Sequence, residues 1–200
     1  MTTSPKITLA SGSAIRASML RDAGVDFAIE KPGVDESTIK DEAASQGEGL
    51  EQIATKLATA KCLAVAEKTP GIVIGSDQIL EFQDRAFDKP ANMDEARARL
   101  LEMQGAPHTL INAVVVALDG QVIWRHLDRP KLIMRTLSEA EIDAYLAAAG
   151  SDILSSVGAY QVEKLGARLF DDIKGNYFAV LGMSLLPLLD VLRREGAIGF

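Results

Sequence analysis

A chain of 200 residues that is 48% hydrophobic and 24% charged has the size and composition of one globular domain, or of one with two lobes, which excludes a disordered chain. Lys+Arg 21 against Asp+Glu 28 gives a formal charge of −7, and the signs are interspersed, so no electrostatic footprint for stable nucleic-acid binding or for an anionic membrane is visible. The apolar runs Ile72–Ser76 and Leu110–Leu118 fall far short of the roughly 20 residues that cross a bilayer, and MTTSPKITLASGS has no signal-peptide core, so a soluble, cytoplasmic chain is expected.

Lys6–Ala10 (KITLA) reads as a short strand that stops at Ser11-Gly12-Ser13. Ala14, Ile15, Met19, Leu20 and Ala23 then mark an amphipathic helix ending at Gly24. Val25–Glu30 predicts a second strand, broken by Pro32-Gly33, and Val34-Asp35-Glu36-Ser37 is a loop leading towards helical sequence. Glu51–Lys68 has helical spacing and ends at Pro70-Gly71, after which Gly71–Ile74 is a continuous apolar run of the kind buried in parallel sheets. Gly75-Ser76-Asp77-Gln78 is expected to interrupt that strand before Ile79–Phe82, which sets the polar residues at a strand end.

Asn92 and Glu95 form a capping pair for a helix over Met93–Met103. Thr109–Leu118 and Gln121–Met134 read as long strands joined at Asp119-Gly120. Ser138 and Glu141 make a capping box for a helix reaching Ala149-Gly150, and Leu181–Arg194 predicts a last helix despite Pro187. Helices and strands alternate, so the class is α/β, and the hairpin with the Ser138–Gly150 helix is a candidate second lobe. The single cysteine, Cys62, lies in LATAKCLAVA and reads as a buried inert thiol; with His108 and His126 as the only histidines, a structural zinc site is not expected.

Ser11, Ser13 and Arg16 combine two hydroxyls, a helix N-terminus and a guanidinium in a group that suits a phosphate, although Ser13 can equally be a plain N-cap and Arg16 a solvated helix residue. Asp77 follows a buried-looking strand, where open α/β sheets place ligand groups. Asp35 and Glu36 offer further acids, or simply an acidic pair leading a helix, and carboxylates with substrate phosphates can share a divalent cation. Lys61 in an apolar helix and Lys89 in Asp88-Lys89-Pro90 either snorkel or complete a pyrophosphate clamp with Arg16.

Taken in order, these pieces match a family. LASGSAIRASML resembles the LASxSPRRxxLL opening of the Maf-like (septum formation inhibitor Maf) nucleotide pyrophosphatases. The resemblance continues through VDES, ATAKCLAVA, VIGSDQIL, DKPANMDEARARLLEMQGAPHTLINAVVV, SSVGAYQVEKLGARLF and IKGNYFAVLGMSLLPLL, nearly the whole chain. It implies a single Maf-like domain over residues 1–200, with a mixed twisted sheet, flanking helices and two lobes around a nucleotide-binding cleft, often as a homodimer. The implied reaction is hydrolysis of a nucleoside triphosphate between the α and β phosphates with a divalent metal (Mg²⁺, Mn²⁺ or Co²⁺), in house-cleaning of nucleotide pools and with a link to cell division. Carried over by residue, Asp77, Glu36, Lys61 and Lys89 are catalytic, Asp77 and Glu36 hold the metal, and Ser11, Ser13 and Arg16 form the phosphate loop.

The family's Pro-Arg-Arg reads Ala14-Ile15-Arg16 here, so Ile15 stands where the thymidine- and uridine-directed branch has a specificity arginine. Gln78 and Glu163 replace the Thr and Gln of that branch, and both resemble the branch acting on 7-methyl-GTP. Glu163 has a plainer alternative as a surface acid paired with Lys164. The functional rival is a nucleotide-binding regulator of division that uses the same pocket without turnover; a carboxylate such as Asp77 beside the scissile phosphates favours the enzyme, because in a pure binder it would only repel the ligand.

Overall fold

The computed structural model describes residues 4–200 as an α/β protein. The first apolar run forms strand β1 (Ile7–Ala10), buried throughout, and helix α1 (Ala14–Asp22) follows. The second strand is far shorter than its alternation suggests: β2 (Ala28–Ile29) has two exposed residues, with Pro32-Gly33 close behind. Helix α2 (Glu36–Ser45) starts at Asp35, whose carboxylate accepts from the backbone N–H of Ser37 and Thr38. Helix α3 (Leu50–Ala66) keeps its apolar stripe against the interior, with Leu57, Cys62 and Val65 buried.

Strand β3 (Ile72–Phe82) departs from expectation, because it runs straight through Gly75-Ser76-Asp77-Gln78. Parallel pairing with β1 holds its first half, from Ile7 opposite Ile72 to Ala10 opposite Gly75. Gly75 is where α3 comes closest: a Cβ there would sit 2.5 Å from the Ala58 carbonyl oxygen and 2.6 Å from Cys62 Cβ, so only glycine lets helix and strand meet. Asp77 therefore lies within a continuous strand, and the polar run marks close packing.

Beyond β4 (Arg85–Phe87) and α4 (Met93–Met103), strand β5 (Pro107–Leu118) turns at Asp119-Gly120 as predicted. The return is two strands, β6 (Gln121–Asp128) and β7 (Lys131–Met134), because Pro130 has no N–H to continue the ladder. β6 pairs with Asn112–Leu118 of β5, and β7 with Pro107–Thr109. Helix α5 (Glu139–Ala149) carries the predicted capping box. Strand β8 (Phe170–Lys174), antiparallel to β7, went unpredicted, since FDDIK looks like loop. After the short α6 (Tyr177–Val180), α7 (Leu185–Arg194) starts later than Leu181, because Gly182 has φ +107°, outside helical space; Pro187 falls in its first turn, where no helical N–H is needed. The ladder is mixed, in the order β2-β1-β3-β5-β7-β8, with β4 on β3 and β6 on β5.

The described residues form two compact units, one of residues 4–77, 112–128 and 182–200, the other of residues 78–111 and 129–181. The predicted hairpin is divided between them: residues 112–128, with β6, belong to the first unit, whereas β7 and the start of β5 belong to the second together with α5. In the second unit Leu80, Leu100, Leu110, Leu132, Met134 and Ile142 form the core with Tyr160. His108 is buried there, its Nε2 2.6 Å from the Tyr160 hydroxyl, and burial pushes its imidazole down from 6.5 to about 4. The folded chain thus resists protonation where the unfolded chain accepts it, so stability is full above about pH 6.5 and falls with pH until about 4. At 1.36 kcal/mol per pH unit, the loss from pH 6.5 to 5 is about 2 kcal/mol. Urea unfolding at pH 7 and 5 checks this: the difference is expected to shrink in His108→Gln, and its persistence there would assign it to other groups.

Candidate active site

Strand β1 and helix α1 leave Ser11-Gly12-Ser13 between them. The buried Ser11 hydroxyl accepts from Ser13 N–H at 3.2 Å and from Arg16 Nη1 at 3.3 Å, so its own O–H remains a donor. Ser13 holds the N-cap position of α1, yet its side chain makes no capping bond. Arg16 is not a solvated helix residue: its Nε donates to the Gly182 carbonyl at 2.8 Å and its Nη1 to the Ser76 carbonyl at 2.8 Å. Burial pushes its guanidinium pKa down while Asp77 and Glu36 oppose that, and an arginine stays charged regardless. Nη2 takes part in none of these bonds and can still meet an anion.

Three predicted residues from three elements converge in the same unit. Capping by Asp35 fixes the first turn of α2 and presents Glu36; α3 contributes Lys61 and β3 contributes Asp77. Lys61 Nζ lies 2.6 Å from Asp77 Oδ1 and 2.8 Å from Glu36 Oε1. Lys61 is 9% exposed and Asp77 6%, so neither is a surface snorkel; without Lys61 the Asp77 carboxylate would be left as an uncompensated buried charge, which typically costs about 3–5 kcal/mol. Glu36 is half exposed, so its share of the pairing is screened by solvent. Asp35 itself faces water, and its hydrogen bonds from Ser37 and Thr38 hold its pKa down at about 2.

Sequence reasoning overlooked the residues that hold Asp77 in place. Asn112 Nδ2 donates to the Asp77 carbonyl at 3.1 Å, and Ser184 Oγ donates to Asn112 Oδ1 at 3.1 Å. Ser76 Oγ donates to the Gly182 carbonyl at 2.9 Å, the oxygen that Arg16 Nε also uses. All three are fully buried, and a lone amide inside LINAVVVAL was the available signal for Asn112. Cys62 is inert as expected: its Sγ lies 3.2 Å from the Val73 carbonyl, and burial pushes its thiol up to about 11.

The remaining residues are Ile15, half-buried on α1, and Gln78, Lys89 and Glu163 in the second unit. Gln78 Nε2 donates to the carbonyls of Ala179 at 2.8 Å and Val180 at 3.3 Å, so both amide hydrogens are engaged and Oε1 is left as an acceptor. Lys89 is exposed before α4. Glu163 is also exposed, but not paired with Lys164, whose ammonium lies 3.9 Å from Asp152. Burial, with the Glu163 charge adding to it, pushes the Tyr145 phenol up to about 12.

Among the described residues no group of three or more His, Cys, Asp or Glu side chains gathers as a metal cage. Asp77 and Glu36 are nonetheless two carboxylates directed at one cation, the donor set that suits a hard divalent ion completed by phosphates and water. Among the described residues no helix is long and apolar enough to cross a membrane.

An α/β chain with a hydroxyl-rich turn after β1 and an Asp–Lys–Glu cluster around a buried lysine is a frame suited to phosphate chemistry. The family model for Maf-like protein matches residues 6–195, and the chain belongs to the Maf family. It is 46% identical over 192 residues to the nucleoside triphosphate pyrophosphatase of Caulobacter vibrioides (strain ATCC 19089 / CIP 103742 / CB 15), covering 96% of each chain. It is 44% identical over 194 residues to the 7-methyl-GTP pyrophosphatase of Brucella suis biovar 1 (strain 1330), covering 96% of this chain and 98% of that one. The nucleoside triphosphate pyrophosphatase of Hyphomonas neptunium (strain ATCC 15444) is 46% identical over 187 residues, 94% of each chain.

Proposed function

We propose that the chain is a nucleoside triphosphate pyrophosphatase that hydrolyses the α–β phosphate bond, releasing a nucleoside monophosphate and diphosphate, and that it removes modified nucleotides, 7-methyl-GTP foremost. The observation that carries this is the convergence of Asp77 and Glu36 on Lys61, in a chain 43–46% identical to curated pyrophosphatases. Asp77 accepts the proton of the attacking water, and its backbone is held for that task by Asn112. Ser11 O–H, Arg16 Nη2 and the first turn of α1 bind phosphate oxygens, and Lys89 adds a further cation for the triphosphate. Asp77 and Glu36 are the residues that would hold a divalent cation, which would supply neutralisation of phosphate charge. The chain works in the cytoplasm, where its substrates are, as a homodimer.

Base choice follows from acceptors. Guanine presents N1–H and N2–H₂ donors, which a carboxylate at Glu163 and the free Oε1 of Gln78 both suit, whereas thymine and uracil present carbonyls that these groups repel. The positive charge of a 7-methylated ring adds attraction to Glu163. Values of kcat/KM for 7-methyl-GTP, GTP, dTTP and UTP test this. The parent protein is expected to prefer the two guanine nucleotides, and Glu163→Gln to erode the preference by about 1–3 kcal/mol. An unchanged ratio in the variant, or a parent preference for dTTP, would remove Glu163 from base reading.

A further inference from the structure

Lys61 is a buried ammonium clamped by two carboxylates, at 2.6 Å from Asp77 Oδ1 and 2.8 Å from Glu36 Oε1, and these are the carboxylates that the proposed chemistry assigns to a divalent cation. A cation bound to Asp77 and Glu36 would stand beside that ammonium, and the two positive charges would repel one another in a site of low effective dielectric. Lys61 carries three donors and no acceptor, so once displaced it needs another anion. Its place in the apolar stripe of α3, next to buried Cys62 and within a turn of buried Leu57 and Val65, denies it an easy route to water. The phosphates of the substrate are the anions that would arrive with the metal.

Resting on that metal-assisted reading, we propose that Lys61 is the resident cation of the carboxylate pair, so that metal binds weakly until a triphosphate offers Lys61 a new partner. Before ligands arrive, Lys61 keeps Asp77 and Glu36 turned towards one point and neutralises the buried Asp77 charge. On binding, it yields at least one carboxylate oxygen to the metal and transfers its hydrogen bonds to phosphate. Metal and nucleotide binding are thereby coupled, each strengthening the other by the same factor. Lys61 thus positions the carboxylates before ligands arrive and contacts substrate phosphate once they are bound.

Mn²⁺ binding measured by calorimetry, with and without an α,β-methylene analogue of GTP that resists hydrolysis, tests the coupling. The parent is expected to bind Mn²⁺ weakly alone and at least tenfold more tightly with the analogue. Lys61→Met, and Lys61→Gln as the variant that keeps a hydrogen-bond donor, are expected to bind Mn²⁺ alone at least tenfold more tightly than the parent, with a smaller gain from the analogue. Their melting temperatures should also rise more with Mn²⁺ than that of the parent. Mn²⁺ binding that Asp77→Asn abolishes but neither Lys61 variant strengthens overturns the role of Lys61 alone; binding that survives Asp77→Asn overturns the metal assignment as well.

Discussion

Asp77→Asn is expected to lower kcat by on the order of 10²-fold or more, the contribution typical of a positioned general base. The amide is nearly isosteric, but it neither takes a proton from water nor carries the charge that draws a cation. The fold should survive, because Lys61 retains Glu36 at 2.8 Å and the amide oxygen still accepts from Nζ, while the backbone bond from Asn112 is untouched. A melting curve close to that of the parent together with collapsed turnover is the expected pair of results. Turnover within a few-fold of the parent would take Asp77 out of the mechanism.

Gly75→Ala should damage stability and activity together. The added Cβ would lie 2.5 Å from the Ala58 carbonyl oxygen, 2.6 Å from Cys62 Cβ and 2.8 Å from Cys62 N. These are atoms of α3 close to its axis, so no flexible side chain can give way, and helix and strand must separate. We expect a loss of about 3 kcal/mol, the upper end of ordinary overpacking. Separation also draws Lys61, the neighbour of Cys62, away from Asp77, two residues further along β3. Urea unfolding and kcat on the same preparation check both effects; stability within 1 kcal/mol of the parent, with full turnover, would mean that α3 moves without consequence.

What the sequence disclosed was mostly local. The caps of α4 and α5 were readable because Asn92 with Glu95, and Ser138 with Glu141, bond within one turn. The long apolar helix was readable from its stripe, and Lys61 stood out in it as a misplaced charge. Its partners were not readable from periodicity, since Glu36 and Asp77 reach it from different elements; the family resemblance supplied the grouping. The continuity of β3 was hidden for a similar reason: Gly75-Ser76-Asp77 resembles a turn until β1 pairs alongside and α3 closes over the glycine. The sequence marks Arg16 as a phosphate ligand but not its ties to the Ser76 and Gly182 carbonyls, because backbone acceptors leave no mark in composition. β8 was missed because paired aspartates outweigh the flanking Phe170 and Ile173 in any local pattern.

Cleavage between the α and β phosphates is tested most directly by the identity of the products. The purified chain, incubated with 7-methyl-GTP and Mg²⁺ or Mn²⁺ and resolved by anion-exchange chromatography, is expected to yield 7-methyl-GMP and diphosphate in equal amounts, with little orthophosphate. Formation of 7-methyl-GDP and orthophosphate, or an absence of turnover with this and every other nucleoside triphosphate tried, would contradict it.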